Sequence, residues 1–180
     1  KGRLLTGPRE ARLPGLLALS REYQANVSNQ LARQVLDSLY ELLRGFEAAD
    51  QRTKSALLER VLAENANDVY KGLLTVLMRL VFLLYAEDRG IMPGGKLYQQ
   101  NYGIHDLYVR LRDNAERYPD TMDQRYGAWP RMLALFRAVH EGCKHPDLKM
   151  PPRHGHLFDP NRFPFLEGRA TRDHEPDALP

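Results

Sequence analysis

The sequence predicts an all-α fold, an irregular bundle of about five to six helices around one central apolar helix, followed by a proline-rich C-terminal loop segment. Apolar residues recur at spacings of three and four along most of the chain, which is the pattern of amphipathic helices. No alternation of apolar and polar residues extends beyond a few positions, so no large sheet is expected. The run Leu73–Ala86 is apolar on nearly all sides and predicts the central helix.

The longest helical pattern begins at Val27, with Ser28 as its candidate N-cap, after a short helix predicted over Leu16–Tyr23. Its apolar positions are Leu31, Val35, Leu39, Leu42 and Phe46. A shorter repeat follows over Thr53–Ala63. The Asn65–Asp68 cluster is then expected to interrupt the helix and to cap the next one.

The central helix is predicted over about Val69 to Asp88, ended by Gly90. Its apolar run falls short of the ~20 residues that span a bilayer, so we expect a buried core helix and no membrane role. The side chains predicted to be deeply buried are those of Leu74, Leu77, Leu80, Val81 and Leu84.

Two further helices are predicted after the central one. The first begins near Ile104 and ends before Pro119. The second has Pro130 in its first turn and Gly142 as its C-terminal cap. Prolines then predict a loop segment up to Pro164.

We expect this chain to be a segment of a larger intracellular protein, because it starts with Lys1 and ends in a polar and proline-containing stretch, 173–180. The only cysteine is Cys143, which excludes an internal disulfide and favours a reducing, cytoplasmic location. We expect a leading segment over 1–14, a helical domain over 15–168 and a linker toward a downstream domain over 169–180.

Positive charge is concentrated in the C-terminal third. The net charge is +3, yet residues 131–172 hold eight Lys and Arg against four Asp and Glu, a local charge of +4. This favours contact with nucleic acid, although an unbalanced solvated surface explains it equally well. The candidate contacts to the DNA backbone are Lys144, Lys149, Arg153, Arg162 and Arg169.

Histidines and the single cysteine form a candidate metal cluster. The pairs are His140 with Cys143, and His154 with His156. Zinc requires four converging nitrogen or sulfur ligands, and one thiol with scattered histidines is a weak match. We therefore expect no metal, and a zinc-dependent enzyme remains the third-ranked hypothesis.

Arg79 is a charge within the apolar run, so it must be paired or must extend to the surface. We predict a structural ion pair with Glu87 or Asp88, with an acidic partner from another helix as the alternative. The chain contains no glycine-rich nucleotide-binding loop, and no catalytic or cofactor-binding residue is assigned to it.

The segment Leu77–Ile91 resembles the helical spacer of large restriction-modification and phage-defence DNA methyltransferases of the MmeI-like, DISARM or BREX type. Those spacers carry an Arg-Leu-x-Phe-x-x-x-Ala-Glu-Asp-x-Gly-Ile/Leu helix. Two further segments, Tyr118–Tyr126 and Gly155–Pro160, also fit, with His156 at a position where the family more often has glycine.

This resemblance implies a multi-domain parent enzyme that methylates adenine N6 in DNA with S-adenosylmethionine. The spacer would be followed by the methyltransferase domain and a target-recognition region, and its partners would be those neighbouring domains and, through the parent, DNA. The catalytic motifs lie downstream, so the segment itself would be non-catalytic, with Glu87 and Asp88 as structural positions. The alternative is a stand-alone nucleic-acid-binding helical module.

Overall fold

The structure is a computed structural model that describes residues 13–52 and 57–169. Over these residues it confirms the all-α irregular bundle, with five α-helices, two 3-10 helices and one small sheet. The elements in chain order are α1 (Leu13–Arg52), α2 (Glu59–Asp88), α3 (Lys96–Asn101), α4 (Ile104–Arg117), a 3-10 helix (Pro119–Gln124), α5 (Ala128–Glu141), β1 (Cys143–His145), β2 (Leu148–Met150) and a 3-10 helix (Pro164–Glu167). Most of the leading segment and of the linker predicted for the two ends lies outside the described residues.

The chain divides into two compact units between Glu41 and Leu42, a boundary that lies within α1. In the first unit, the described residues form one continuous helix. The prediction of a break before Val27 is wrong, and Ser28 lies inside the helix instead of capping it. No proline or glycine stands between Leu16 and Ser28, so nothing stops the helix from propagating.

Within the second unit, α2 is interrupted where the sequence predicts. Asn65 has non-helical backbone angles of φ −164° and ψ 95°. Its Oδ1 accepts a hydrogen bond of 3.2 Å from the backbone N–H of Asn67, which supplies a partner for one donor at the start of the following turns. The break and the helix that follows it are both confirmed.

The predicted deep burial of these five α2 side chains is wrong. The side chains of Val81 and Leu84 are 63% and 44% exposed, and those of Leu74, Leu77 and Leu80 are half-buried. The buried face is a different one, because the described elements of the second unit pack against another side of α2. Its members are Val69, Gly72, Leu73, Thr75, Val76, Arg79, Leu83 and Ala86.

The core lies between α2, α5 and the segments that follow α5. Phe158 belongs to this core, with its ring 5.5 Å from that of Phe82 and 5.9 Å from that of Phe136. Leu83, Leu135 and Val139 belong to the same cluster of buried side chains. The proline-rich segment after α5 is therefore an integral part of the core.

The strands β1 and β2 form an antiparallel hairpin that the sequence does not predict. Each strand has three residues, too few for a recognisable alternation. Gly142 ends α5 with φ 85°, as expected for a glycine cap. A Cβ atom at this position would lie 2.8 Å from the backbone nitrogen of Pro152, so the close approach of the two segments also requires glycine.

Candidate functional site

Arg79 is the largest fully buried side chain among the described residues, with 1% of its surface exposed. Its Nε donates a hydrogen bond of 2.6 Å to the carbonyl of Leu157, and its Nη2 donates one of 3.2 Å to the carbonyl of Asp159. Its guanidinium lies 5.0 Å from the centre of the Phe136 ring. Arg79 thus links α2 by hydrogen bonds to the segment that follows the hairpin.

The predicted ion pair of Arg79 with Glu87 or Asp88 is wrong. The two acceptors of the buried Arg79 guanidinium are backbone carbonyls of the segment after the hairpin, and neither belongs to Glu87 or Asp88. Burial lowers the pKa of Arg79 to about 10, while the carboxylates of Glu167 and Asp159 act in the opposite direction. The guanidinium therefore stays charged at neutral pH.

Glu87 instead joins α2 to α3 and α4. Its Oε1 accepts hydrogen bonds from the Tyr98 hydroxyl (2.7 Å) and the Ile104 backbone N–H (2.8 Å), and its Oε2 accepts one from the His105 N–H (3.0 Å). The two N–H groups belong to the first turn of α4, so Glu87 caps that helix from a distance. Burial and the Glu87 carboxylate raise the pKa of Tyr98. Asp88 is exposed.

A cavity of about 590 Å³ lies beside this junction. Its polar lining includes Glu87 and Asp106. Asp106 Oδ2 accepts hydrogen bonds from Arg110 Nε (2.8 Å) and Arg131 Nη2 (3.2 Å). Because both carboxylates already have partners that link elements of the fold, their role is structural.

Among the described residues, the more exposed side of α2 forms an apolar surface, here called the outer face. Side chains on this side recur every three or four residues, so they lie in one stripe along the helix. Its members are Tyr70, Leu74, Leu77, Met78, Val81, Leu84 and Tyr85. Over the described residues, α2 is also the one helix long and apolar enough to cross a membrane, with a mean hydropathy of 1.7 in its most apolar window, of which 44% is buried.

The structure brings two of the four candidate metal ligands together. The rings of His140 and His154 have their centres 5.5 Å apart and stand nearly perpendicular. Cys143 is half-buried on β1, and His156 is exposed in the following loop. Among residues 13–52 and 57–169, no group of three or more His, Cys, Asp or Glu side chains is placed to hold a metal ion.

We expect the purified chain to contain no stoichiometric zinc, because one pair of imidazoles falls short of four converging ligands. The measurement is elemental analysis of the protein, with a His154→Ala variant as the control. One zinc ion per chain, lost in that variant, would contradict the prediction and would favour the zinc-enzyme hypothesis.

The five candidate DNA-contacting residues fall into two groups. Arg162 and Arg169 have contacts within the fold: the exposed Arg162 guanidinium lies 5.3 Å from the Phe163 ring centre, and Nη2 of the half-buried Arg169 donates a hydrogen bond of 2.9 Å to the Pro160 carbonyl. Lys144, Lys149 and Arg153 are exposed, the two lysines on the hairpin and the arginine just after it. The sequence indicates these basic residues but not the hairpin, which places the two lysines opposite each other.

Comparison with protein-family models, with curated proteins and with solved structures finds no significant match to this chain.

Proposed function

We propose that this chain is a non-catalytic helical scaffold within a larger DNA adenine-N6 methyltransferase of a restriction-modification or anti-phage system. The parent protein would use S-adenosylmethionine in the cytoplasm, and this segment would hold the neighbouring domains in a fixed geometry. The choice of this protein family rests on the resemblance of Leu77–Ile91 to such spacers. The outer face of α2 is the structural observation that carries the scaffold role.

The outer face has the composition of a surface that another protein domain covers. From Tyr70 to Tyr85 it extends over about 22 Å at 1.5 Å per residue. Contiguous apolar surfaces of this kind mark interaction sites, because leaving them in water is unfavourable. We assign the neighbouring domain of the same polypeptide as the occupant, with an apolar surface complementary to the stripe.

The contacts on the other side of α2 suit a scaffold. Arg79 fastens the helix to the segment after the hairpin, and Glu87 fastens it to the start of α4. A domain docked on the outer face would therefore be held by a rigid frame. Such positioning matters for catalysis, since a misplacement of about 1 Å far from the chemistry can cost about 100-fold in rate.

Two tyrosines provide a matched test in the full-length methyltransferase. Tyr85 on the outer face is 56% exposed, and Tyr108 on α4 is 58% exposed. Each lies near an arginine four residues later, at 5.3 Å and 5.9 Å from the ring centre. We expect Tyr85→Asp to lower the rate of DNA methylation by up to about 100-fold and Tyr108→Asp to leave it near the wild-type value.

Circular dichroism would establish that both variants fold. Equal rates for the two variants would contradict docking on the outer face. Leu80→Asp, which places a charge at a side chain packed against the core, should impair methylation through the fold.

The isolated chain should neither bind S-adenosylmethionine nor transfer a methyl group. Calorimetry with the cofactor and a methyl-transfer assay, carried out beside the parent protein, measure this. Methyl transfer by the isolated chain, or a parent that keeps its activity after removal of the segment, would exclude the scaffold role.

The alternative function is a stand-alone nucleic-acid-binding helical module, which the exposed lysines of the hairpin favour. A stand-alone module would select a defined sequence or bind DNA in a manner that resists salt. A scaffold with backbone contacts would bind weakly and without sequence preference. Titration with duplexes of different sequence at low and moderate salt separates the two.

A further inference from the structure

The hairpin of β1 and β2 carries two positive charges directly opposite each other. In its register Lys144 pairs with Lys149, between the pairs Cys143–Met150 and His145–Leu148. Residues directly opposite in an antiparallel pair project from the same side of the sheet. Both ammonium groups therefore belong to the same exposed surface.

This arrangement does not favour the stability of the hairpin. Like charges directly opposite each other destabilise a strand pair. Among the described residues, neither lysine has a carboxylate within ion-pair distance, whereas Lys71 is paired with Asp68 at 3.0 Å. Both ammonium groups are therefore available to bind a negatively charged ligand.

The other side of the hairpin fixes it to the core. Leu148 and Met150 are both buried in the core cluster. The lysines flank a surface depression of about 520 Å³, whose rim includes His145 and three prolines, Pro146, Pro151 and Pro152. Prolines limit backbone motion at the rim. The charged surface is thus held on a rigid support and is concave.

We propose that Lys144 and Lys149 bind the phosphate backbone of duplex DNA, each neutralising one phosphate group. Lysine suits this ligand because its ammonium is a compact point charge whose rotatable donors can bind phosphate oxygens. The inference rests on the proposed function, which brings DNA to the protein, and it names the surface that touches the DNA. Arg169 is excluded as a principal contact, because it is half-buried and its guanidinium already binds within the fold.

The test is the salt dependence of DNA binding by this chain, measured by fluorescence anisotropy with a labelled duplex. Each neutralised phosphate contributes about −0.9 to the slope of log affinity against log salt concentration. Lys144→Gln and Lys149→Gln should each make the slope shallower by about 0.9, and the double variant by about 1.8. Arg117→Gln, which removes one charge from the exposed last turn of α4, should leave the slope unchanged.

An unchanged slope in the double variant would overturn the proposal. So would tighter binding of polyglutamate than of duplex DNA at equal charge concentration, since it would indicate an acidic protein as the ligand. Failure of the DNA-binding proposal for the hairpin can be distinguished from failure of the proposed scaffold function. The methylation rates of Tyr85→Asp and Tyr108→Asp depend on the outer face of α2 and not on the hairpin.

Discussion

Replacing Arg79 by alanine should lower the free energy of unfolding by about 3–5 kcal/mol. The change removes the donors that serve the carbonyls of Leu157 and Asp159, and it leaves a hole beside the Phe136 ring. For a chain of this size the melting temperature should fall by about 6–20 °C. Thermal and urea unfolding followed by circular dichroism measure both quantities.

Two further variants distinguish the contribution of the Arg79 hydrogen bonds to stability from that of its positive charge. Arg79→Lys keeps the charge but cannot reach two carbonyls with one planar group, so it should lose much of the same stability. Arg112→Ala removes an exposed arginine and should change the free energy of unfolding by less than about 0.5 kcal/mol. An Arg79→Ala variant that melts at the wild-type temperature would contradict the role of the buried guanidinium.

Replacing Glu87 by alanine should cost about 3 kcal/mol, because three hydrogen bonds to one carboxylate are lost together. Two of them cap α4, so hydrogen exchange of the Ile104 and His105 amides should accelerate more than exchange in α5. The measurement is native-state hydrogen exchange combined with thermal unfolding.

The adjacent carboxylate provides the control for Glu87. Asp88 is exposed at the end of α2, so Asp88→Ala should change stability by less than about 0.5 kcal/mol. The stability of the Glu87→Gln variant should lie between those of the two alanine variants. Its amide keeps one acceptor oxygen, but its NH2 group is a donor that would face a backbone N–H. Equal stability of the Glu87→Ala and Asp88→Ala variants would contradict the capping role.

Several features of this fold follow from local chemistry and were predictable from the sequence. The interruption of α2 at Asn65, the end of α4 before Pro119 and the end of α5 at Gly142 depend on the residue at that position and its near neighbours. The continuity of α1 was not predicted. A polar stretch without proline or glycine can continue a helix or interrupt it, and the sequence pattern does not distinguish these outcomes.

The candidate sites depended on information that the sequence pattern does not contain. Arg79 was recognisable as a charge that needs a partner, but its nearest partner lies 78 residues away along the chain. The lysines were recognisable as part of a basic region, but only the register of β1 and β2 places Lys144 opposite Lys149. Such contacts arise from chain segments that meet in the folded state.

The helical class of this protein, the position of its most apolar helix and most of its helix ends follow from local sequence, because each depends on residues within a few positions. The choice of the buried side of α2 depends instead on packing between distant segments. A helix that is apolar on nearly all sides has no polar face to direct it, so the elements that pack against it select the side. The more exposed side among the described residues, from Tyr70 to Tyr85, is the surface on which the proposed function depends.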